Sequence, residues 1–365
     1  MGRASMRGAL ALLLCLLAGT AAAEERVVNV YNWSDYIDPA AIERFQRESG
    51  ITVRYDVYDS LETLEGKLLA GHSGYDVVVP TNEPTFSRLI RAGALRPLDR
   101  ARLPHLAGLD PALMALVAAS DPGNRFGAIY LWGTTGLGTN PDRIRALAPD
   151  APLDSWQLLL DPAVARRVAP CGITIMDTPA DVIPPILKAL GRDPHSTEAA
   201  DLDAVARALG AIRPYVRSFS SGAAINELAS GETCLAMTYS GDVIQARARA
   251  EEAKKGVTVR YVAPREGSEL SFDMLAIPAD APHVEEALAF IDFVLRPDVM
   301  AGITNQVRYA NAVPASKPMI RPEVADDPNI YPPPEQLARD FVPAAVPPAA
   351  ERARTRLWAR FKAGN

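Results

Sequence analysis

VVNVYNWSDYIDPAAIERFQRESG, residues 27–50, sets the first strand and helix of the fold, and YDVVVP, residues 75–80, sets a later strand. Val27 to Tyr31 is a mainly apolar strand interrupted by Asn29. Asp38 is placed to cap a helix, because its short carboxylate can accept from the free N–H groups of the first turn. Pro39 fits the first helical position, where no N–H is needed, and Gly50 stops the helix after Ser49. Ile51 to Tyr58 alternates as a strand, and Leu61 to Ala70 is a helix closed by Gly71. Val77-Val78-Val79 has the continuous apolar character of a strand buried on both faces. Thr85 to Ala92 is a third helix, ending at Gly93. This strand–helix alternation predicts an α/β fold built on a parallel sheet with right-handed crossovers. Sites in such sheets lie at the carboxyl ends of the strands.

The middle of the chain differs. Gly127 to Asn140 is an apolar strand followed by glycines and threonines, then Pro141, which suits a crossing between two lobes. Helices are expected over 154–161, 180–190, 202–212, 223–229, 242–255 and 284–295, and strands over 234–238, 257–262 and 271–277. The last forty or so residues are proline-rich and end in a basic segment, Arg352 to Lys362, expected to be a solvated terminal helix.

Residues 1–23 have the form of an export signal. Arg3 and Arg7 give a basic start, Leu10 to Leu17 an apolar run, and Ala21-Ala22-Ala23 a small-residue cleavage site. The run is too short for a permanent membrane helix. Leu14 and Leu16 flank Cys15 where a lipid-attachment site carries small residues, so a cleaved signal is expected rather than a lipid anchor. Losing Arg3 and Arg7 takes the net charge from -6 to -8. An acidic chain without basic clusters argues against nucleic acid and anionic membrane surfaces as partners. After cleavage only Cys171 and Cys234 are left. In an oxidising compartment they favour one disulfide, with two buried thiols as the alternative.

No chemistry-bearing motif appears. His72, His105, His195 and His283 are scattered without metal-ligand spacing, so no metal site is expected. No nucleophile elbow or phosphate loop is present, and Gly136-Leu137-Gly138 is too short for a dinucleotide fingerprint. The expectation is therefore a protein with no catalytic residues and no cofactor. What the chain does carry is acids beside aromatics at strand ends: Trp33-Ser34-Asp35-Tyr36, Tyr239-Ser240-Gly241-Asp242, Ser271-Phe272-Asp273 and Tyr309. An aliphatic diamine requires this combination. Each ammonium has three donors to satisfy, the methylene stem needs apolar walls, and aromatic faces serve both. The plainer alternative makes Trp33 and Tyr239 core residues and the acids helix caps, with Asp242 a first-turn acid.

At these residues the chain resembles the periplasmic putrescine/spermidine-binding proteins of polyamine ABC transporters, most like their putrescine-binding branch. The resemblance covers essentially the whole chain after the signal. It rests on Val30-Tyr31-Asn32-Trp33-Ser34-Asp35-Tyr36-Ile37, Asp76-Val77-Val78-Val79-Pro80, Trp132-Gly133-Thr134-Thr135-Gly136, Leu295-Arg296-Pro297-Asp298-Val299, Tyr309-Ala310-Asn311-Ala312 and Arg352-Ala353-Arg354-Thr355-Arg356. It implies a two-lobed periplasmic binding protein fold of type II, each lobe a mainly parallel sheet flanked by helices, joined by a hinge. Lobe one would comprise residues 24–133 and 264–305, and lobe two residues 134–263 and 306–365. It further implies a monomer in the periplasm that hands a small polyamine to inner-membrane permease subunits, and a Cys171–Cys234 disulfide. The ligand set it implies is Trp33, Ser34, Asp35, Tyr36, Thr81, Asp181, Tyr239, Asp242, Ser271, Asp273 and Tyr309. Thr81 stands where the family often has serine, Asp181 where it often has glutamate, and Tyr239 where tryptophan is usual. Ser271 replaces a commonly aromatic position. These departures keep the carboxylates but leave more room and less aromatic cover.

Overall fold

The computed structural model describes residues 25–364, so the export segment expected over residues 1–23 lies outside the described residues. Ten strands are present among them: β1 Val27–Trp33, β2 Thr52–Tyr58, β3 Val77–Val78, β4 Gly127–Thr139, β5 Ile173–Ile175, β6 Ser218–Phe219, β7 Leu235–Tyr239, β8 Arg260–Val262, β9 Glu269–Ala276 and β10 Ala310–Asn311. They form one connected sheet in the order β2-β1-β3-β9-β4-β7-β5-β6, with β8 and β10 also paired to β4. At one end β2, β1 and β3 are parallel; at the other β7, β5 and β6 are parallel. Between them β9 and β4 run antiparallel to their neighbours and join the two parallel sets.

Local chemistry explains the first unit. Asp38 caps the helix Pro39–Ser49 by accepting from Ala40 N at 2.9 Å, and Gly50 ends it in the left-handed region at φ 66°. Ser60 caps Leu61–Leu69 in the same manner through Thr63 N. The third strand is shorter than the valine run suggests, because only Val77 and Val78 pair with β1. The third helix starts later, at Ser87–Arg91, after an irregular turn over Asn82–Phe86.

Two large apolar cores flank the crossing strands. One contains Val28, Phe45, Val77, Phe86, Tyr130, Phe272 and Phe290; the other contains Leu137, Trp156, Ile175, Ile186 and Leu235. A smaller cluster around Val243 and Tyr261 lies beside the second. β4 is buried along all thirteen residues and passes from the first core to the second between Trp132 and Leu137.

Two expectations change here. The segment after 306 was assigned to the second lobe, yet Tyr309, Val313, Ile320, Val324 and Ile330 pack in the first core. The cause is β10, which pairs with Leu131 and Trp132 of β4 on the first core's side. Only the terminal helix Pro348–Ala363 returns to the second core, and it is not simply solvated. Leu357, Trp358 and Phe361 are buried there together with Arg354, while Arg352, Arg356 and Arg360 are exposed and Lys362 reaches Asp177 at 2.8 Å. The second core is closed by a Cys171–Cys234 disulfide, with Cα atoms 5.6 Å apart, tying the chain just before β5 to the chain just before β7. Among the described residues no helix is long and apolar enough to cross a membrane.

Candidate functional site

A cavity of about 310 Å³ lies between the two cores, at the ends of β1, β2 and β7 and beside the middle of β9. Ten of the eleven anticipated side chains line it: Trp33, Ser34, Asp35, Tyr36, Thr81, Tyr239, Asp242, Ser271, Asp273 and Tyr309. The eleventh, Asp181, stands directly behind, accepting from the Tyr239 hydroxyl at 2.6 Å. The lining also includes Tyr58, Asp59, Gly133, Ser221, Gly222 and Ile225. Four aspartates and five aromatic rings therefore face this space, and no lysine, arginine or histidine does.

Two of the lining carboxylates, Asp242 and Asp273, are held by hydroxyls. Asp273 accepts from Tyr36 at 2.6 Å and from Thr81 at 2.7 Å. Asp242 accepts from Tyr309 at 2.8 Å. These bonds fix the carboxylates in place but carry no positive charge. Burial consequently dominates and raises Asp242 and Asp273 to about 6, partly opposed by the same hydroxyl bonds. Burial also raises Asp181 to about 6, opposed by the Tyr239 and Thr178 bonds. The tyrosine hydroxyls of Tyr36, Tyr239 and Tyr309 are pushed well above their ordinary range by burial and by the adjacent carboxylates, so they stay protonated donors. The cavity is thus poised to gain cationic charge.

The aromatic walls are positioned by strand ends and close packing. Trp33 ends β1 and packs tilted against Tyr58 at the end of β2, with ring centroids 4.6 Å apart and planes at 50°. The chain then turns through Asp35, in the left-handed region at φ 54°. That turn leaves Ser34 and Asp35 exposed and buries Tyr36, which meets Tyr309 edge to face at 4.9 Å. Tyr309 lies flat on Gly241: a Cβ there would fall 2.0 Å from its ring, so any side chain at 241 would displace the ring that orients Asp242. Asp35 is the one lining acid with a basic partner among the described residues, Arg249 at 3.3 Å.

A larger groove, about 1200 Å³, opens beside this cavity and shares Asp59, Ser221 and Gly222 with it. Four of its charged side chains are already neutralised within the protein. Arg88 pairs with Glu65 and Glu351, and Lys362 with Asp177 at 2.8 Å. The smaller cavity, whose buried Asp242 and Asp273 lack cationic partners among the described residues, is the chemically demanding one. Among the described residues no group of three or more His, Cys, Asp or Glu side chains is placed to hold a metal ion.

Tyr58 and Asp59 were not singled out from the sequence, although they follow β2 as Trp33 and Ser34 follow β1, and the strand-end rule applies equally to both. Ser221, Gly222 and Ile225 follow the two-residue strand β6, which has no sequence pattern of its own.

The model of the bacterial extracellular solute-binding protein family matches residues 40–332. The putrescine-binding periplasmic protein of Escherichia coli (strain K12) is 45% identical over 355 residues, 97% of this chain and 96% of that protein. A second putrescine-binding periplasmic protein, from Pseudomonas aeruginosa (strain UCBPP-PA14), is 44% identical over 360 residues, 97% of this chain and 98% of that protein. Among solved structures, the spermidine/putrescine ABC transporter substrate-binding protein of Streptococcus pneumoniae superposes with a TM-score of 0.77 at 26% identity, covering 93% of this chain and 99% of that one. The chain belongs to the bacterial extracellular solute-binding protein family.

Proposed function

We propose that the chain is an exported, non-catalytic binding protein that captures an aliphatic diamine, first of all putrescine, between its two lobes and delivers it to the membrane subunits of an ABC transporter. The observation that carries this reading is the cavity lining: four aspartates, five aromatic rings and no basic side chain. In this reading Asp242 and Asp273 hold the two ammonium ends, with Ser34 and Asp35 adding acceptors at the exposed rim. Trp33 lies along the methylene stem, Tyr36 and Tyr309 wall it, and Thr81 keeps Asp273 oriented. Tyr239 closes the far wall and Asp181 anchors its hydroxyl. The lobes move about β4 and β9 as a hinge. Arg249–Asp35 and Arg88–Glu351 connect groups on opposite sides of the cleft, so they support a closed arrangement. The close similarity to two periplasmic putrescine-binding proteins supports the ligand, the compartment and the transporter partner.

The pH dependence of binding tests the reading. The ammonium groups of an alkyl diamine stay protonated well above neutrality, as a lysine amine does. Asp242 and Asp273 sit at about 6 in the empty cleft and must be ionised to bind. Affinity is expected to be full above neutrality and to fall as pH drops through 6, by up to about tenfold per pH unit for each carboxylate. The sign for folding is the reverse. A raised carboxyl contributes stability that is present below the ordinary carboxylate range and lost as pH rises through about 6, and ligand restores it. Titration calorimetry with putrescine between pH 7.5 and 5 checks this; an affinity that does not change across that range contradicts it.

A further inference from the structure

A second recess, of about 330 Å³, adjoins the amine cavity, and Asp35 lines both. One wall is the C-terminal end of the helix Pro297–Val307 with Arg308 and Arg321, beside Val307 and Ile320 of the first core. The other is the helix Ser240–Ala253 with Arg249 and Glu252, whose Val243, Ala246 and Ala250 pack in the small cluster beside the second core. The recess therefore lies between groups from opposite sides of the cleft.

Its charge is unbalanced. Three guanidinium groups, Arg249, Arg308 and Arg321, meet two carboxylates, Asp35 and Glu252, in a chain whose net charge is -6. Arg249 pairs with Asp35 at 3.3 Å and Arg321 with Glu323 at 3.4 Å. Arg247, just outside the recess, pairs with Asp327 at 2.8 Å. Arg308 is half-buried, and only charges at longer range act on it, with no side-chain bond among the described residues. The acids it feels, Glu323 and Asp327, are those already held by Arg321 and Arg247. Burial, then the charge of Arg321, works against its protonated form. A plain structural role for these arginines is to answer the negative end of the helix Pro297–Val307. Arg321 does so, donating from Nη2 to the Asn305 carbonyl at 2.7 Å, whereas Arg308 does not. Arg308 also sits in the left-handed region at φ 62°, which glycine or asparagine adopts more readily. A half-buried cation without a partner costs free energy that a bound anion removes. Guanidinium forks match the oxygens of phosphate and carboxylate.

We propose that this recess is a site for a small oxyanion, a phosphate or a carboxylate, held by Arg308 with Arg249 and Arg321 beside it. Because its walls come from both sides of the cleft, the anion favours the arrangement in which they meet, which is also the one that encloses the amine. Each ligand then strengthens binding of the other by the same factor. The coupling, though not the anion site, rests on the amine reading of the cleft. The test is calorimetry on the intact mature protein, with ionic strength held constant by sodium chloride. Phosphate or acetate is expected to tighten putrescine binding by about fivefold or more, the lower end of coupling between two sites, and the larger response identifies the occupant. Arg308→Asn, which suits the left-handed backbone and so keeps the fold, is expected to abolish the response while binding putrescine in chloride as the wild type does. Glu252→Gln, which removes an acid from the recess, is expected to enlarge the response. A response absent from the wild type, equal in Arg308→Asn or lost in Glu252→Gln overturns the anion site. Phosphate binding to the wild type without any binding of putrescine overturns the amine reading and leaves the recess standing.

Discussion

Asp242→Asn weakens putrescine binding at neutral pH by at least about tenfold and up to about a hundredfold, the range set by about 1.5–3 kcal/mol for one charge-assisted hydrogen bond. Asparagine keeps the shape of the side chain and can still accept from Tyr309, so the wall it orients stays in place. What is lost is the negative charge that an ammonium would meet. The effect on the empty protein has the opposite sign. Burial raises Asp242 to about 6, so ionising it at neutral pH works against the fold, and the neutral amide is expected to leave the unliganded protein at least as stable as the wild type. Lower affinity with undiminished stability separates a binding role from a structural one. Unchanged affinity in calorimetry would leave Asp242 as no more than a first-turn acid of the helix Ser240–Ala253.

Replacing Cys171 and Cys234 together by alanine lowers folding stability by up to about 4 kcal/mol, the chain-entropy value for a loop of this length. The bridge spans 63 residues of sequence, and its cysteines are 2% and 0% exposed beside β5 and β7. Those strands are adjacent and parallel in the second core, so the link closes the whole excursion through the helices Pro179–Ala189 and Ala199–Ile212. Neither cysteine lines the cavity, so ligand affinity well below the unfolding transition is expected to stay near the wild-type value. Urea unfolding of the oxidised wild type against the double variant measures the difference. Superimposable curves would show that the crosslink contributes nothing.

The first half of the fold was legible because its punctuation is chemical. Asp38, Pro39 and Gly50 bound one helix, and the next runs from Leu61 to just before Gly71, all at the expected places within a residue or two. Four helices of seven or more residues went unnoticed: Pro111–Val117, Pro141–Leu147, Pro162–Val168 and Pro297–Val307. All begin with proline, and Asp110, Asn140 and Asp161 cap the first three, so the same start signal was present. Their shortness, seven residues in three cases, leaves too little apolar periodicity to outweigh a proline. Strands β5, β6 and β10 have two or three residues and gain their identity from neighbours in the sheet, which no local pattern records.

The site was legible to a different degree. Residues following β1 and β7, and those within β9, were found because acids beside aromatics at a strand end form a short pattern. The course of residues 306–330 was misassigned because β10 is two residues long, yet its pairing with β4 decides which core the following apolar residues join.

The central claim is that the cavity holds a cation at each of two carboxylates. Calorimetric titration of the mature protein at pH 7.5 with putrescine and with n-butylamine, which has the same chain and one ammonium fewer, tests it most directly. One putrescine is expected to bind per chain, with butylamine weaker by about a hundredfold for the loss of one end's charge-assisted bonds. Equal affinity for the two amines, or no binding of putrescine, would contradict the account.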